Sequence, residues 1–503
     1  MTAVKELLQQ IPDPNLSNDE RVRLRCELAK QFEKTGNYEA ACRALDKFWP
    51  EFGELPDLDV LDERTAGEVL LRVGVLTGWI GSIRLIKGSQ KIAKDRISES
   101  IAIFEALPDV KKVAEAQMEI AYCYRREGAV DAARRWYGEA LSRLDDADGD
   151  LKAVAVLRSA LIDLSSNRLN DALVMLRTAD ALFAASSNHA LRGSFHNAVG
   201  LVLKTMSTTE GCLDYLDQVL DEYAAASFHF EQAGHTRYQA CIENNLAMVF
   251  SQAGRFAEAH DRLDRAQALC TRLNDRSLFA SFEDSRAQVF LAEGELAKAQ
   301  KIALNAVTIM EKGDEHPLFA EALTTYGVVL ARLNRADESR AVFERALTVA
   351  GRAGDPENAA HAALSFIEQL AEQLSEDELC NILEFARNSL KDTQNAESKK
   401  RLTDCVYRAL SLIHTARPDW SNFSLDETLL RHEARFIQMA LEDSDGSITR
   451  AADLLGLPGH QSLNFILNRR HPQLLSSRRP VKPRRRSIIK NDVAAHRNAI
   501  GNS

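Results

Sequence analysis

Small residues recur along this chain at a nearly fixed interval, and that recurrence limits the fold more than any other feature. Ala121, Ala160, Gly200, Ala247, Ala287 and Gly327 lie 39, 40, 47, 40 and 40 residues apart. The same order of residue types follows each of the clearer copies. Ala121 is followed by Tyr124, Gly128, Ala133, Tyr137 and Ala140. Ala247 is followed by Phe250, Gly254, Ala259, Leu263 and Ala266, and Ala287 by Phe290, Gly294, Ala299, Ala303 and Ala306. Gly327, Leu330, Asn334, Ser339, Phe343 and Ala346 make a weaker copy, and Ala29, Phe32, Gly36, Ala41, Leu45 and Phe48 fit near the N-terminus. Ala160 with Asn167, Ala172, Leu176 and Ala179 is degenerate but in step. A small residue lets two helices cross closely, and an aromatic or leucine one turn on fills the space beside it. Gly or Asn ends the first helix by taking the left-handed backbone, and a second small residue opens the packing face of the next. Each unit is a helical hairpin that cannot bury its apolar face alone, so neighbours must stack.

This order resembles the tetratricopeptide repeat family over most of residues 20–390. The resemblance implies a right-handed superhelix with a concave groove lined by the first helix of each hairpin. The interval near 40, against about 34 in that family, predicts longer helices or loops. HEAT-like repeats share the longer period, but the small–aromatic–Gly–small order argues against them. The 47-residue interval contains TMSTTEG, expected as a loop insertion. Residues 50–110 fit poorly, with Gly81, Ser100 and Phe104 as a distorted unit. Asn197 and Asn244 hold one slot, three residues before Gly200 and Ala247. By resemblance that slot faces the groove, where an amide pairs with a peptide backbone, and Lys204 and Gln288 would lie nearby. The basic clamp that some relatives use for a peptide carboxylate is not evident. The solenoid is expected over 1–395. Leu402, Val406, Ala409, Leu410 and Ile413 form one face of a closing helix over 396–416, and 417–424 is a linker containing Pro418.

Residues 425–475 differ in character. A first helix is expected from Leu425 to Glu442, with Phe436, Ile437, Ala440 and Leu441 apolar, broken by Asp445 and Gly446. Ser447 suits the N-cap of a short helix, Ile448 to Leu455, and Gly456 ends it in a sharp turn. A third helix begins near Gln461 with Leu463, Ile466 and Leu467 inward. The fold class read from the whole chain is therefore all-α, a helical-hairpin solenoid followed by a small three-helix helix-turn-helix domain. Glu433, Ile437, Ala440, Leu441, Gly446, Ala451, Ala452, Leu455, Gly456, Leu457 and Leu463 resemble the C-terminal DNA-binding module of the Fis family. Two features depart from it. The turn LPGHQS is one residue longer, and the third helix lacks the usual basic residue at its start. That helix offers His460, Gln461, Ser462 and Asn464, then Arg469 and Arg470. Gln and Asn amides pair with adenine's major-groove edge, Ser contacts base or phosphate, and arginines at the far end suit phosphate. Ser447 and helix N-terminal amides add phosphate contacts.

The charge distribution points the same way. The net charge is −10, yet Arg469 to Lys490 holds nine Lys/Arg and no Asp/Glu. An acidic body with a basic tail over 476–503 directs an anionic partner to that end only. Arg478, Arg479, Lys482, Arg484, Arg485 and Arg486 would track a phosphate backbone or enter a narrow minor groove. No stacking aromatics interleave them, which disfavours RNA. GxxxxGK[ST], HExxH and GxSxG are all missing, and the histidines form no ligand cluster. No catalysis, cofactor or metal is expected. The eight cysteines form no CxxC pair, no signal or membrane span is read, and the cytoplasm is the expected compartment. The expectation is a bacterial-type DNA-binding transcriptional regulator, a homodimer on double-stranded DNA, with a protein or peptide in the groove. The alternative is a non-enzymatic interaction scaffold whose C-terminal bundle does not bind DNA.

Overall fold

The computed structural model describes residues 2–210, 214–415 and 424–478. Its side chains are described over the same residues except 2, 3, 208–210, 214, 215, 414, 415 and 428. The chain divides into two compact units, Met1–His414 and Thr415–Ser503.

The first unit is built of helical hairpins. After α1 (Thr2–Gln10) come α2 (Asn18–Glu33) with α3 (Tyr38–Ala44), α4 (Glu63–Arg84) with α5 (Ser89–Ala106), α6 (Val110–Glu127) with α7 (Val130–Ser142), and α8 (Asp150–Ser165) with α9 (Leu169–Thr178). A short α10 (Asp180–Ala185) precedes α11 (His189–Glu210) with α12 (Asp214–Ala233), α13 (Thr236–Gln252) with α14 (Phe256–Leu273), and α15 (Arg276–Glu293) with α16 (Leu296–Met310). Then follow α17 (His316–Arg332) with α18 (Ala336–Ala353), α19 (Pro356–Leu370) with α20 (Glu376–Ser389), and a last helix α21 (Ala396–Thr415). Local chemistry starts many of these helices. Ser17 and Glu20 close a capping box before α2, as do Ser375 and Glu378 before α20. Asp62, Asp109, Asp275 and Asp355 cap α4, α6, α15 and α19 through their carboxylates.

The repeated slots do what their sterics require. Ala29, Ala121, Ala160, Ala247 and Ala287 are buried to within 1% of full burial, as are Ala41, Ala133, Ala172, Ala259, Ala299 and Ser339 on the second helices. The residues that end the first helices, Gly36, Gly128, Asn167, Gly254, Gly294 and Asn334, all have positive φ. A Cβ on Gly327 would sit 2.9 Å from the Phe343 ring, so the two helices meet where only glycine fits.

The structure corrects three expectations. The first is the insertion before Ala247. TMSTTE is the end of α11 and not a loop, while Gly211 lies outside the described residues. Gly200 meets Tyr223, 23 residues on, whereas Gly327 meets Phe343, 16 residues on. The seven added residues are about two helical turns, shared between α11 and α12, so the packing faces stay in phase. The second is 50–110, which holds a full hairpin, α4 with α5. Gly78 is in register with the other repeats, since Gln90 Nε2 donates to its carbonyl at 2.9 Å and the left-handed residue seven positions on is Leu85, φ 59°, while Gly81 is where α4 meets the start of α5 too closely for a Cβ, which would overlap Ser89. α4 is long and apolar enough to cross a membrane by length and composition, but its best 18-residue window, of mean hydropathy 1.3, is 89% buried in the fold. The third is α21, whose buried face runs through Leu402, Cys405, Ala409 and Leu412. Leu402 and Ala409 lie on it as expected, but Val406 is 37% and Leu410 45% exposed, and Cys405 packs in their place.

The coil of hairpins also touches itself. His235, before α13, packs against Gly36, where an added Cβ would lie 2.8 Å from the ring. Ser82 hydrogen-bonds Glu315, and Arg126 Nε lies 3.7 Å from the same carboxylate. Asn167 donates to Glu357 at 2.5 Å and accepts from Asn395 at 3.1 Å. The Arg237 guanidinium lies 5.2 Å from the centre of the Trp79 ring. The hydrogen-bonded partners are 190 to 233 positions apart, so one superhelical turn takes about five hairpins before it meets the next.

The second unit contains α22 (Leu425–Asp443), α23 (Ile448–Leu454) and α24 (His460–Arg470), followed by a 3₁₀ turn, Pro472–Ser477. Ile437, Ala440, Leu441, Ala451, Ala452, Leu463, Leu467 and Leu474 form its core. Asp445 and Gly446 take positive φ between α22 and α23, and Gly456 does so after α23. Phe436, one of the four apolar positions read on α22, is 60% exposed. Ile437, Ala440 and Leu441, the other apolar positions read on α22, are buried.

Candidate functional site

The slot three residues before each small residue runs through four successive first helices of the solenoid. It holds Asn197 on α11, Asn244 on α13, Asp284 on α15 and Thr324 on α17. Asn197 Oδ1 accepts from Asn245 Nδ2 at 2.9 Å, so the residue that joins Asn197 is the neighbour of Asn244. Asn244 Oδ1 is buried with no hydrogen-bond partner. Thr324 turns its hydroxyl back to the Ala320 carbonyl at 2.9 Å and offers nothing outward. Asp284 is 4% exposed; its Oδ2 accepts from Gln288 Nε2 at 2.8 Å, and its Oδ1 has no partner.

Glu321, on α17, completes the group. Burial and the facing Glu321 push the Asp284 carboxyl up to about 7, against the pull of Gln288 and Thr325. Burial raises Glu321 as well, offset by its hydrogen bond to Gln288 and by the charge of Lys204. Lys204, one turn after Gly200, is shifted down by burial, with Glu321 opposing. Lys204 and Gln288, expected near the groove, are therefore brought together through Glu321. Lys204, Gln288 and Glu321 remain partly exposed while Asp284 lies beneath. The sequence reading missed Asp284 and Glu321. Asp284 had a usable signal, the same offset from Ala287 as Asn244 has from Ala247. A search for asparagine alone passes over it.

Elsewhere on the first helices, charge is matched by charge. Arg72 on α4, 2% exposed, reaches Glu33 at 2.6 Å and Glu115 at 2.7 Å, and Lys30 meets Glu115 at 2.8 Å. Arg158 on α8 reaches Glu119 at 2.9 Å and Arg237 on α13 reaches Asp275 at 2.7 Å. Tyr38, Trp79 and Tyr122 stack in a column with centroids 4.6 and 5.2 Å apart, and Arg126 lies over Trp79 at 4.0 Å.

The second unit presents a different surface. On α24, Gln461, Phe465, Asn468 and Arg469 form an exposed stripe at helical spacing, with Phe465 60% exposed and the Arg469 guanidinium 5.6 Å from its ring centre. His460 is exposed at the helix start and Ser462 is partly covered. Asn464 Oδ1 accepts from Arg478 Nη1 at 2.9 Å, so both side chains are engaged within the unit. Arg470 is tied to Glu433 at 2.9 Å, and the buried His471 ring meets the other oxygen of the same carboxylate at 2.9 Å. Glu433 thus locks α22 to the end of α24. Ser447 sits at the N-cap of α23 but makes no side-chain cap bond; its carbonyl accepts from the Ser444 hydroxyl at 3.2 Å. Arg479, Lys482, Arg484, Arg485 and Arg486 lie outside the described residues. Phe465 was missed because an aromatic at helical spacing reads as core. Leu463 and Leu467 fill that core, and Phe465 points away.

Along α22, Leu425, Leu429, Phe436 and Met439 are 61, 57, 60 and 48% exposed. They fall at the a and d positions of two heptads, with exposed His432 between them.

No curated protein matches the chain. Among solved structures it is similar to a Rap protein complexed with competence and sporulation factor, at 15% identity and TM-score 0.41, over 78% of this chain and 99% of that one. It is similar to NprR in complex with its cognate peptide NprX, at 12% identity and TM-score 0.43, over 67% and 98%. Yeast Tom70 aligns at 14% identity and TM-score 0.39, over 81% and 85%. Residues 277–352, which span most of α15, all of α16 and α17, and most of α18, match the tetratricopeptide repeat family, so this stretch of the solenoid, including Asp284, Gln288 and Glu321, is built of tetratricopeptide-type repeats.

Proposed function

We propose that this protein is a DNA-binding transcriptional regulator of bacterial type, with α22–α24 as a Fis-like helix-turn-helix and the solenoid as the seat of a protein or peptide partner. The observation that carries the reading is the outward stripe of α24. Gln461 pairs its amide with adenine N6 and N7, Phe465 packs on a thymine methyl, and Arg469 takes a phosphate at the far end. Asn464 and Arg470, engaged inside the unit, hold α24 in place and do not read bases. The basic tail supplies salt-sensitive phosphate contacts. The α22 stripe supports a homodimer, which sets two recognition helices on two half-sites. Partner binding in the solenoid changes DNA occupancy only through different affinity for two states of the protein.

The second reading, a non-enzymatic scaffold, is favoured by the same engagement of Asn464 and Arg470, which leaves few polar readers on α24. Substitution separates the two. Phe465→Ala with Gln461→Ala is expected to reduce discrimination among duplex sequences while leaving non-specific affinity near wild type. Arg484→Gln, Arg485→Gln and Arg486→Gln together are expected to weaken binding to all sequences alike and flatten its salt slope. Loss of partner assembly with no DNA binding to lose would favour the scaffold.

A further inference from the structure

We infer that the groove segment formed by α13, α15 and α17 is a subsite for a positively charged group of a bound peptide, its ammonium or guanidinium donating to the partly exposed Glu321 above the buried acceptors of Asp284 and Asn244. The inference rests on the reading of the solenoid as a peptide-holding groove and adds the chemistry of what it holds. Asp284 is 96% withdrawn from solvent, with one carboxylate oxygen hydrogen-bonded to Gln288 and the other unpartnered. On the next first helix, Asn244 buries a second unpartnered acceptor oxygen in the same slot. A buried acceptor without a donor costs about 1–3 kcal/mol. Two of them in one row mark a place where a donor-rich group is wanted.

The charge balance gives the sign. Asp284 and Glu321 face each other, Asp355 adds to the negative field at Glu321, and among the described residues Lys204 is the cation that acts on Glu321. Gln288 donates to both Asp284 and Glu321 and holds the two carboxyl groups together, which water or a cation would otherwise do. A ligand carboxylate or phosphate is repelled here. Among the described residues no group of three or more His, Cys, Asp or Glu is arranged to hold a metal ion, so the cation that fits is organic. The partly exposed Glu321 and Gln288 form the rim and Asp284 the base. Asn197 and Asn245, already joined at 2.9 Å one hairpin back, lie along the same row where the peptide backbone would continue.

The test is selection of a phage-displayed random heptapeptide library on the full-length protein, on Asp284→Asn and on Glu321→Gln. Asparagine and glutamine keep shape and remove charge, and circular dichroism melts check that each variant folds. The expected result is a Lys or Arg fixed at one position of the wild-type pool, and peptides without that preference from both variants. Replacing that residue by norleucine in a selected peptide is expected to weaken wild-type binding by about tenfold or more and to change the Asp284→Asn affinity less than about twofold. A wild-type pool with no basic position, or the same basic position in both variants, overturns the subsite while leaving the groove reading standing. A pool no richer than background on all three proteins overturns the groove reading, and the subsite with it.

Discussion

Single side chains decide how closely the hairpins of this solenoid approach. Gly200 and Gly327 face the rings of Tyr223 and Phe343, both fully buried, at distances a methyl group cannot share. Gly200→Ala and Gly327→Ala are each expected to destabilise the protein by about 1–3 kcal/mol, read as a lower urea midpoint at unchanged slope. Glycine at Gly254, where an added Cβ meets open space, is needed for its backbone angle alone, φ 72°. His235 adds a titration. It caps α13 by accepting the Tyr238 amide proton at 3.2 Å, stacks on the Tyr238 ring and packs against Gly36. Burial, with the charge of Arg237 second, pushes it down to about 3. The unfolded histidine takes up its proton near 6.5, so between pH 6.5 and 3 the unfolded chain binds a proton that the folded chain refuses. The contribution is present above 6.5 and is lost as pH falls, at up to about 1.4 kcal/mol per pH unit. His229 and His361, each pushed down to about 4, chiefly by burial, add to it in the same direction. His235→Asn, which keeps a cap, is expected to flatten this acid limb in thermal melts taken across that range. An unchanged limb would remove His235 from the account.

At the scale of the element, the helices of the second unit divide their work. α22 and α23 hold α24 by apolar packing, and Glu433 fixes the end of α24 through Arg470 and His471. Glu433→Ala leaves the buried His471 without its partner and is expected to cost about 1–3 kcal/mol of this unit's stability, measured by denaturation of the full chain with a probe on α22. Leu429→Glu with Phe436→Glu changes only exposed positions of α22 and is expected to turn a dimer into a monomer in analytical ultracentrifugation, with weaker DNA binding. Dimers that survive the change would place the interface elsewhere. What could be read from sequence follows the same physics. Ala121, Ala247 and Ala287 were legible because close helix crossing admits few side chains. Gly78 was hidden because its hairpin ends at a left-handed Leu85, a residue type that does not announce such a turn. On α21, Leu402 and Ala409 were read correctly, but Val406 and Leu410 were misplaced because they are as apolar as the buried Cys405. The groove chemistry was half legible, since Asn197, Asn244 and Asp284 share a repeat slot, whereas Glu321 lies outside it and faces Asp284 only because α17 packs beside α15.

At the scale of the molecule, the solenoid is a coil whose turns touch, through Gly36 with His235, Ser82 with Glu315 and Asn167 with Glu357. A chain of hairpins held only by nearest neighbours unfolds in segments. These contacts across turns tie distant hairpins together, so Gly36→Ala is expected to lower the stability of α13 as well as α2, detected as faster hydrogen exchange at both. The central claim is that the second unit takes this protein to DNA. Fluorescence anisotropy of the full-length protein with a random-sequence duplex, at about 50 and 200 mM salt, tests it most directly. The account predicts binding at the lower salt that weakens on the order of a thousandfold at the higher, as expected when about six phosphates are neutralised. Absence of binding at low salt would contradict it and leave the solenoid as the functional part of the chain.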